Sequence, residues 1–392
     1  MKSVVFRELP VHDANWSITT GRDGNIYVGV CGELTGGLSV FIVRYNPVNE
    51  KTEYLLEVSP ALNEPPDNGR APLSKIHYGM VPGSDGKLYC ATHFSGPPLG
   101  DAIWRPWHTW DDHEKMASGF HIFSFDPVTE QVEDFGVMSR NEGSRAMALA
   151  EKRRLIYGVT WPRDHFYIFD LKNHKYRDLG RIGNVNPQSV WIDNEENGYT
   201  VDDLGFIVKY DVMSDRLIHL DVRVPKDPMF SSEERCVYDT VPSPDGKSIY
   251  GVVWNLEWAQ FASRLFRYDF KDNKVYDLGP GYGKDPCDHI GGLIFGEDGY
   301  LYYAASRKDS NRRIPYRMYL FRMNVHTLEK EEIAPFDDGE YHAEYIAKAT
   351  IDFAGNLYFA DTNNRPTRIY IYTPEGASGK FIPRWPLVRS WG

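Results

Sequence analysis

One short stretch contains two histidines whose imidazole rings it could bring together. The stretch is IHYGMVPGSDGKLYCATHFS, residues 76–95. It predicts two strands joined by a Pro-Gly-Ser-Asp-Gly turn, and pairing about residue 85 would place His77 opposite His93. Directly opposed residues in an antiparallel pair have Cβ atoms about 4.5–5.5 Å apart. Because histidine titrates near neutral pH, such a pair could divide acid and base work. The alternative is two strand histidines with ordinary hydrogen bonds.

The composition is that of a large, acidic, aromatic-rich globular chain. It has 392 residues, a formal net charge of −11, and 14% aromatic residues. The aromatic content favours strands and is also typical of surfaces that stack on sugars. The negative charge argues against non-specific nucleic-acid binding, although a local basic pocket for an acidic substrate remains compatible with it.

Targeting and membrane signals are not evident in the sequence. The first residues, MKSVVFRELP, lack the apolar core of a signal peptide, and no apolar run approaches the length of a membrane span. The four cysteines show no metal-like spacing. We therefore expect a cytoplasmic protein with reduced cysteines and no membrane partner. The cysteines are Cys31, Cys90, Cys236 and Cys287.

A unit of four strands recurs along the whole chain. Its second strand shares an aromatic-centred pattern in seven copies: NIYVGVC, KLYCATH, LIYGVTW, GYTVDDL, SIYGVVW, YLYYAAS and NLYFADT. Its third strand also occurs seven times: FIVRYNP, HIFSFDP, FYIFDLK, FIVKYDV, LFRYDFK, LFRMNVH and IYIYTPE. Four strands per repeat at this spacing are typical of a β-propeller.

The sequence therefore predicts an all-β fold, a seven-bladed β-propeller with four antiparallel strands per blade. Residues 1–392 would form one domain. Ring closure needs a terminal segment as the outer strand of the last blade, either 4–9 or 385–391.

Propeller geometry gathers the starts of first strands and the ends of second strands at one mouth of the central channel. Functional residues concentrate in loops on such a rigid scaffold. The predicted mouth residues are Asn15, Trp16, His77, His93, Arg145, Trp161, Arg163, Gln188, Asp202, Asp203, Arg235, Tyr238, Trp254, Asn255, Asp288, His289, Arg307, His342, Glu344, Tyr345, Asp361 and Asn363.

Two long loops leave the same face. Residues 96–119 carry Trp104, Trp107 and Trp110, and this spacing predicts a folded, Trp-rich flap over the mouth. The alternative is packing of this loop against a neighbouring blade or a second subunit. The loop 306–317 is basic and would either neutralise an acidic ligand or lie in solvent.

The paired histidines on one blade, with arginines on the next, resemble the propeller-type polysaccharide lyases. These are the ulvan, oligogalacturonate and rhamnosyl-glucuronate lyases. The resemblance implies β-elimination at a uronic acid, with an acidic oligosaccharide or polysaccharide as substrate. It implies that one of His77 and His93 is the base and the other the acid, in either order, and that Arg145 or Arg163 holds the uronate carboxylate.

This sequence departs from the lyase pattern at one position. Where such lyases carry a tyrosine on the first strand of the third blade, this chain has Arg145 and Met147. Tyr238 and Tyr157 are candidates to replace that tyrosine as acid. The remaining predicted substrate contacts are Arg163, Trp161, Gln188, Arg235, Trp254, Trp104, Trp107 and Arg307.

A second histidine pair suggests a divalent metal in the channel. His289 and His342 begin the first strands of adjacent blades, with Asp288 and Glu344 nearby. Oligogalacturonate lyases resemble this arrangement, and two histidines with a carboxylate would suit Mn²⁺ or Zn²⁺, with Ca²⁺ as a further option. The alternative is that both histidines line the channel with water.

Other functions fit parts of the pattern. The tail NLYFADTNNRPTRIYIYTPEG resembles the NHL repeats of non-catalytic, ligand- or protein-binding propellers. Calcium-dependent lactonases also use a propeller, but one of six blades. A glycoside hydrolase would need two carboxylates roughly 5–10 Å apart. The sequence does not show that any two of Asp202, Asp203 and Asp361 lie at that distance.

Overall fold

Each repeat of the sequence forms a four-stranded antiparallel sheet, and the computed structural model holds seven such sheets in its described residues. The structure describes residues 1–33, 37–94, 98–100, 112–183, 188–257, 260–282, 289–308 and 316–377. Inner strands of neighbouring blades contact one another around the ring. The fold is a seven-bladed β-propeller, as the repeat predicts.

The two inner positions of the blades surround the channel. The innermost strands are β2 (Ala14–Thr20), β6 (Met80–Pro82), β10 (Gly143–Ala150), β14 (Trp191–Ile192), β18 (Arg235–Pro242), β22 (Ile290–Phe295) and β26 (Ile346–Ile351). The second strands are β3 (Ile26–Cys31), β7 (Leu88–Ala91), β11 (Leu155–Trp161), β15 (Gly198–Val201), β19 (Ser248–Glu257), β23 (Leu301–Lys308) and β27 (Leu357–Asp361).

The two outer positions complete each sheet. The third strands are β4 (Phe41–Asn46), β8 (His121–Phe125), β12 (His165–Asp170), β16 (Phe206–Asp211), β20 (Gln260–Asp269), β24 (Tyr316–Met323) and β28 (Arg368–Tyr372). The outer strands are β5 (Lys51–Glu57), β9 (Val132–Val137), β13 (Lys175–Arg181), β17 (Arg216–Arg223), β21 (Lys274–Gly279), β25 (Lys330–Pro335) and β1 (Lys2–Val5).

The N-terminal strand closes the ring. β1 pairs antiparallel with β28, in the register Lys2↔Ile371 to Val5↔Arg368, as the outer strand of the seventh blade. The closing strand thus lies slightly earlier than the predicted 4–9, and the other candidate, 385–391, lies outside the described residues. A single-turn helix, α1 (Val58–Ala61), leads from the first blade to the second.

A tyrosine–aspartate hydrogen bond explains the repeated sequence pattern. In five blades the tyrosine of the second strand donates its hydroxyl to an aspartate in the turn before that strand, at 2.7–2.8 Å. The same aspartates accept backbone N–H groups of that turn or of the strand entry in all five of these blades. These turns lie at the end of the blades opposite the predicted mouth. The pairs are Tyr27–Asp23, Tyr89–Asp85, Tyr199–Asp193, Tyr302–Asp298 and Tyr358–Asp352.

The central channel encloses a largely apolar cavity of about 270 Å³. Trp16 and Tyr78 border it on the mouth side, and Arg22 and Glu151 border it near the opposite end. Within the part of the chain that the structure describes, no helix has the length and apolarity needed to cross a membrane.

Candidate functional site

Irregularities in strand pairing aim side chains at the channel mouth. The pairing of an inner strand with its second strand shifts between Asn15 and Ser17, between Ser144 and Ala146, and between Val237 and Asp239. A β-bulge of this kind re-aims the side chain of the extra residue. The residues that these shifts leave out are Trp16, Arg145 and Tyr238, and all three belong to the predicted mouth.

His77 and His93 come together, although in a different register from the one predicted. The backbone of His93 pairs with Lys75, not with His77, because the pairing shifts by two residues before it becomes regular at Met80↔Cys90. The two imidazole rings still meet edge to face, with centroids 5.8 Å apart. Both side chains are fully buried.

Hydrogen bonding fixes the tautomer of His77. Its Nδ1 lies 2.8 Å from the carbonyl oxygen of Arg145; a carbonyl only accepts, so Nδ1 carries the proton. Nε2 therefore holds a lone pair, and it has no hydrogen-bond partner among the described residues. Burial, together with the positive charges of Arg145 and Lys75, keeps the pKa of His77 well below its ordinary value. His77 is a neutral imidazole with a free basic nitrogen.

His93 accepts a hydrogen bond from the side chain of Arg145. Nη1 of Arg145 lies 3.1 Å from Nε2 of His93, and since a guanidinium only donates, this nitrogen is the acceptor. Burial, with the same two positive charges, depresses the pKa of His93 too. The ring packs against Gly143, where the methyl group of an alanine would lie 1.9 Å from Nδ1 of His93. Only glycine leaves room for this ring.

Arg145 is the cation of the mouth, and it forms no ion pair with a carboxylate in the described part of the chain. Its side chain is partly exposed, and its guanidinium lies 6.0 Å from the ring of Trp161. The largely buried arginines elsewhere face a carboxylate: Arg235–Glu233, Arg264–Asp227, Arg317–Glu344 and Arg368–Asp338. A desolvated charge requires a counter-charge, so this position is suited to an anion.

Aromatic rings form the floor of the mouth. Tyr238 stacks on Trp254 with centroids 4.1 Å apart, and His289 stacks on Tyr345 at 3.8 Å. The hydroxyl of Tyr345 donates to that of Tyr238. Burial raises the pKa of both tyrosines well above its ordinary value, so both hydroxyls stay protonated. Tyr238 is fully buried, whereas Tyr345 and Trp254 are partly exposed.

Four residues that were predicted to contact the substrate are paired within the chain or buried. Arg163 lies 3.8 Å from Glu142, and Arg307 pairs with Glu332 at 2.6 Å. Arg235 binds Glu233 and the carbonyl of Val224. Each of these arginines has a partner within the chain. Gln188 is buried beside Val237, and its Oε1 has no partner among the described residues.

In the second histidine pair, one ring nitrogen of each histidine is bound by a backbone carbonyl. His289 donates Nε2–H to the carbonyl of Ile346 at 2.8 Å, and His342 donates Nε2–H to that of Met318 at 3.1 Å. Glu344 pairs with Arg317. Across the described residues, no group of three or more His, Cys, Asp or Glu is placed to hold a metal ion. Asp288 lies outside those residues.

Most of the Trp-rich insertion lies outside the described residues, including Trp104, Trp107 and Trp110. Its described end, 112–119, packs beside the mouth. Ala71 donates its backbone N–H to Lys115 at 2.7 Å, and Met116 packs in a small cluster with Phe94 and Trp161. The insertion is therefore anchored next to the His93 side of the mouth.

Two charged residues of the mouth were not predicted as site residues. Lys75 and Glu33 form an ion pair of 2.9 Å, and the lysine side chain is 1% exposed. The signal for Lys75 was its position two residues before His77, on the same side of the strand. Glu33 lies two residues after the second strand of the first blade, and His93 lies two residues after the second strand of the second blade.

Comparisons with known proteins give the fold. No protein-family model matches the chain, and no curated protein matches it by sequence. Among solved structures, it is similar to the extracellular domain of BT4673 from B. thetaiotaomicron, with 12% identity and a TM-score of 0.58 over 92% of this chain and 38% of that chain. U3-55K is 8% identical, with a TM-score of 0.53 over 92% and 95% of the two chains. Hydrazine synthase of Kuenenia stuttgartiensis is 12% identical, with a TM-score of 0.51 over 72% of each chain. At these identities the similarity establishes the propeller fold alone.

Proposed function

We propose that the chain is a carbohydrate-active lyase that cleaves a uronate-containing oligosaccharide or polysaccharide by β-elimination at the channel mouth. One observation carries the proposal: Arg145 lacks a carboxylate partner in the described chain and contacts two neutral histidines. Buried, perturbed titratable groups around an unpaired charge are typical of functional sites.

Arg145 is the group that would hold the carboxylate of the substrate. An arginine binds a carboxylate through two parallel N–H···O bonds. Neutralising the uronate carboxylate makes the C5–H bond more acidic, because negative charge that develops on removal of this proton is stabilised. Nε of Arg145 is buried and has no partner among the described residues.

His77 is the proposed base. Its Nε2 lone pair takes the C5 proton, the C5–H electrons form the C4=C5 double bond, and the C4–O bond breaks. The departing oxygen takes a proton from the hydroxyl pair of Tyr345 and Tyr238, and solvent restores that proton. Trp161, the last residue of β11, and Trp254, which lies three residues before the end of β19, are partly exposed and would stack on the flanking sugar rings.

A second candidate is a non-catalytic propeller that binds an acidic ligand through Arg145. One observation favours it: both His77 and His93 are 0% exposed. A base must come within hydrogen-bond reach of the proton that it removes, and of these two histidines and Arg145 only the arginine has exposed surface.

An absorbance assay separates the two candidates. The chain is incubated with a panel of uronate-containing oligosaccharides, and ultraviolet absorbance of a 4,5-unsaturated product is followed. A rise that Arg145→Gln abolishes supports the lyase. Calorimetric binding of the same sugars without any rise in absorbance supports the binding propeller. If no sugar of the panel binds and none gives a rise in absorbance, both candidates are refuted.

A further inference from the structure

Glu33 joins Trp16, which stacks on the His77 ring, to Lys75. One carboxylate oxygen accepts a hydrogen bond from the indole Nε1–H of Trp16, and the other accepts one from Nζ of Lys75 at 2.9 Å. The same ammonium lies 4.0 Å from the centroid of the Trp16 ring. Trp16 in turn stacks on His77, with centroids 4.6 Å apart.

The backbone fixes Glu33 to the frame of the mouth. Its N–H donates to a carboxylate oxygen of Asp13 at 2.7 Å, and Gly32 donates to the carbonyl of Ser74 at 3.2 Å. The next residue, Lys75, exchanges two backbone hydrogen bonds with His93. The backbone of Glu33 is therefore held beside the strands that carry His77 and His93 by hydrogen bonds that do not involve the Glu33 side chain.

The charges around Lys75 make it sensitive to Glu33. Burial lowers the pKa of Lys75 to about 8, Glu33 opposes that change, and Arg145 adds to it. The other titratable neighbours do not change charge near pH 8: burial raises the pKa of Cys31 to about 12, and His77 and His93 are already neutral. With Lys75 protonated, Arg145, Lys75 and Glu33 together carry one net positive charge.

We propose that Glu33 is a positioning residue of the mouth, which holds the Trp16 indole against His77 and keeps Lys75 charged beside Arg145. The link to substrate binding rests on the proposed function, since one net positive charge matches one substrate carboxylate. The hydrogen bonds and charges of Glu33, Trp16 and Lys75 can be tested in the protein without substrate.

Nuclear magnetic resonance of the indole N–H groups tests this directly. The Trp16 signal is assigned by its loss in Trp16→Phe and followed from pH 6.5 to 9.5. We expect it to titrate with a midpoint near the Lys75 pKa, about 8. In Lys75→Met this titration should vanish. In Glu33→Gln it should move about one pH unit or more lower, because an adjacent opposite charge stabilises the ammonium.

Glu53→Gln is the matched control, since Glu53 pairs with Arg44 on the same blade and its side chain is 52% exposed. It should leave the Trp16 titration unchanged. An unchanged midpoint in Glu33→Gln, or no titration of the wild-type indole in this range, would overturn the proposal.

Calorimetry with glucuronate keeps the two proposals distinct. A glucuronate affinity in Glu33→Gln that differs from the affinity of the control supports the positioning role, and equal affinities contradict it. If the indole titrations behave as expected but wild-type protein binds no glucuronate, the proposed function fails and the positioning role stands.

Discussion

Two histidine pairs that resemble each other in sequence have different surroundings in the structure. His77 and His93 lie on one blade, and Arg145 contacts both. In contrast, His289 and His342 each donate Nε2–H to a backbone carbonyl of a neighbouring segment. The adjacent Arg145, which forms no ion pair with a carboxylate in the described part of the chain, distinguishes the first pair from the second.

The largest expected effect separates Arg145 from an arginine that serves the fold. Arg145→Gln should abolish uronate binding while the free energy of unfolding stays the same or rises, because an uncompensated charge is removed. Arg368→Gln should lower that free energy by about 3–5 kcal/mol, because it leaves Asp338 buried without its partner. Chemical denaturation of both variants measures this difference. A comparable loss of stability in Arg145→Gln would mean that Arg145 has an internal carboxylate partner.

The next effect separates the two histidine pairs with matched amides. His77→Asn keeps a donor for the carbonyl of Arg145 and removes the basic Nε2. We expect near-native stability and a turnover lower by about 10²–10⁴. His342→Gln keeps a donor for Met318 and should retain activity. Turnover and melting temperature of both variants are measured in parallel. Equal losses of turnover in His77→Asn and His342→Gln would contradict the assignment of the base to the first histidine pair.

A smaller effect concerns the space for His93. Gly143→Ala would place a methyl group 1.9 Å from Nδ1 of this ring, so the ring must shift and carry Arg145 with it. We expect a cost of about 1–3 kcal/mol and weaker uronate binding. Gly29→Ala is the control, since its methyl group would meet its nearest neighbour at 3.4 Å. Native binding in Gly143→Ala would show that His93 does not position the arginine.

The last effect is a pH dependence in the second pair. Burial lowers the pKa of His289 to about 4, so the folded state resists a proton that the unfolded chain accepts below about pH 6.5. This histidine therefore costs stability as pH falls from 6.5 to 4, on the order of 3 kcal/mol in all. Denaturation at pH 7 and pH 4.5 should show a smaller loss in His289→Gln. An identical loss would contradict the assignment.

The fold follows from the sequence because its repeat is local. The aspartate and tyrosine that recur in five blades clasp the turn before each second strand, and the alternating strands supply the rest. The closing strand was harder to predict, since β1 and β28 are more than 360 residues apart along the chain.

The site was predictable only in part, because it depends on distances between blades and on bulges. The approach of His77, His93 and Arg145 follows from propeller geometry. Glu33 could not be predicted to bind Lys75, since the two meet across a blade boundary. Likewise Arg163, Arg235 and Arg307 sit near strand ends at the mouth face, and nothing in the sequence shows that each has an acidic partner.

Calorimetric titration with glucuronate and its neutral amide, glucuronamide, tests the central claim most directly. Arg145 recognises a carboxylate in this account, so wild-type protein should bind glucuronate and not glucuronamide, and Arg145→Gln should bind neither. Equal affinity of wild-type protein for the acid and the amide, or unchanged glucuronate binding in Arg145→Gln, would contradict it.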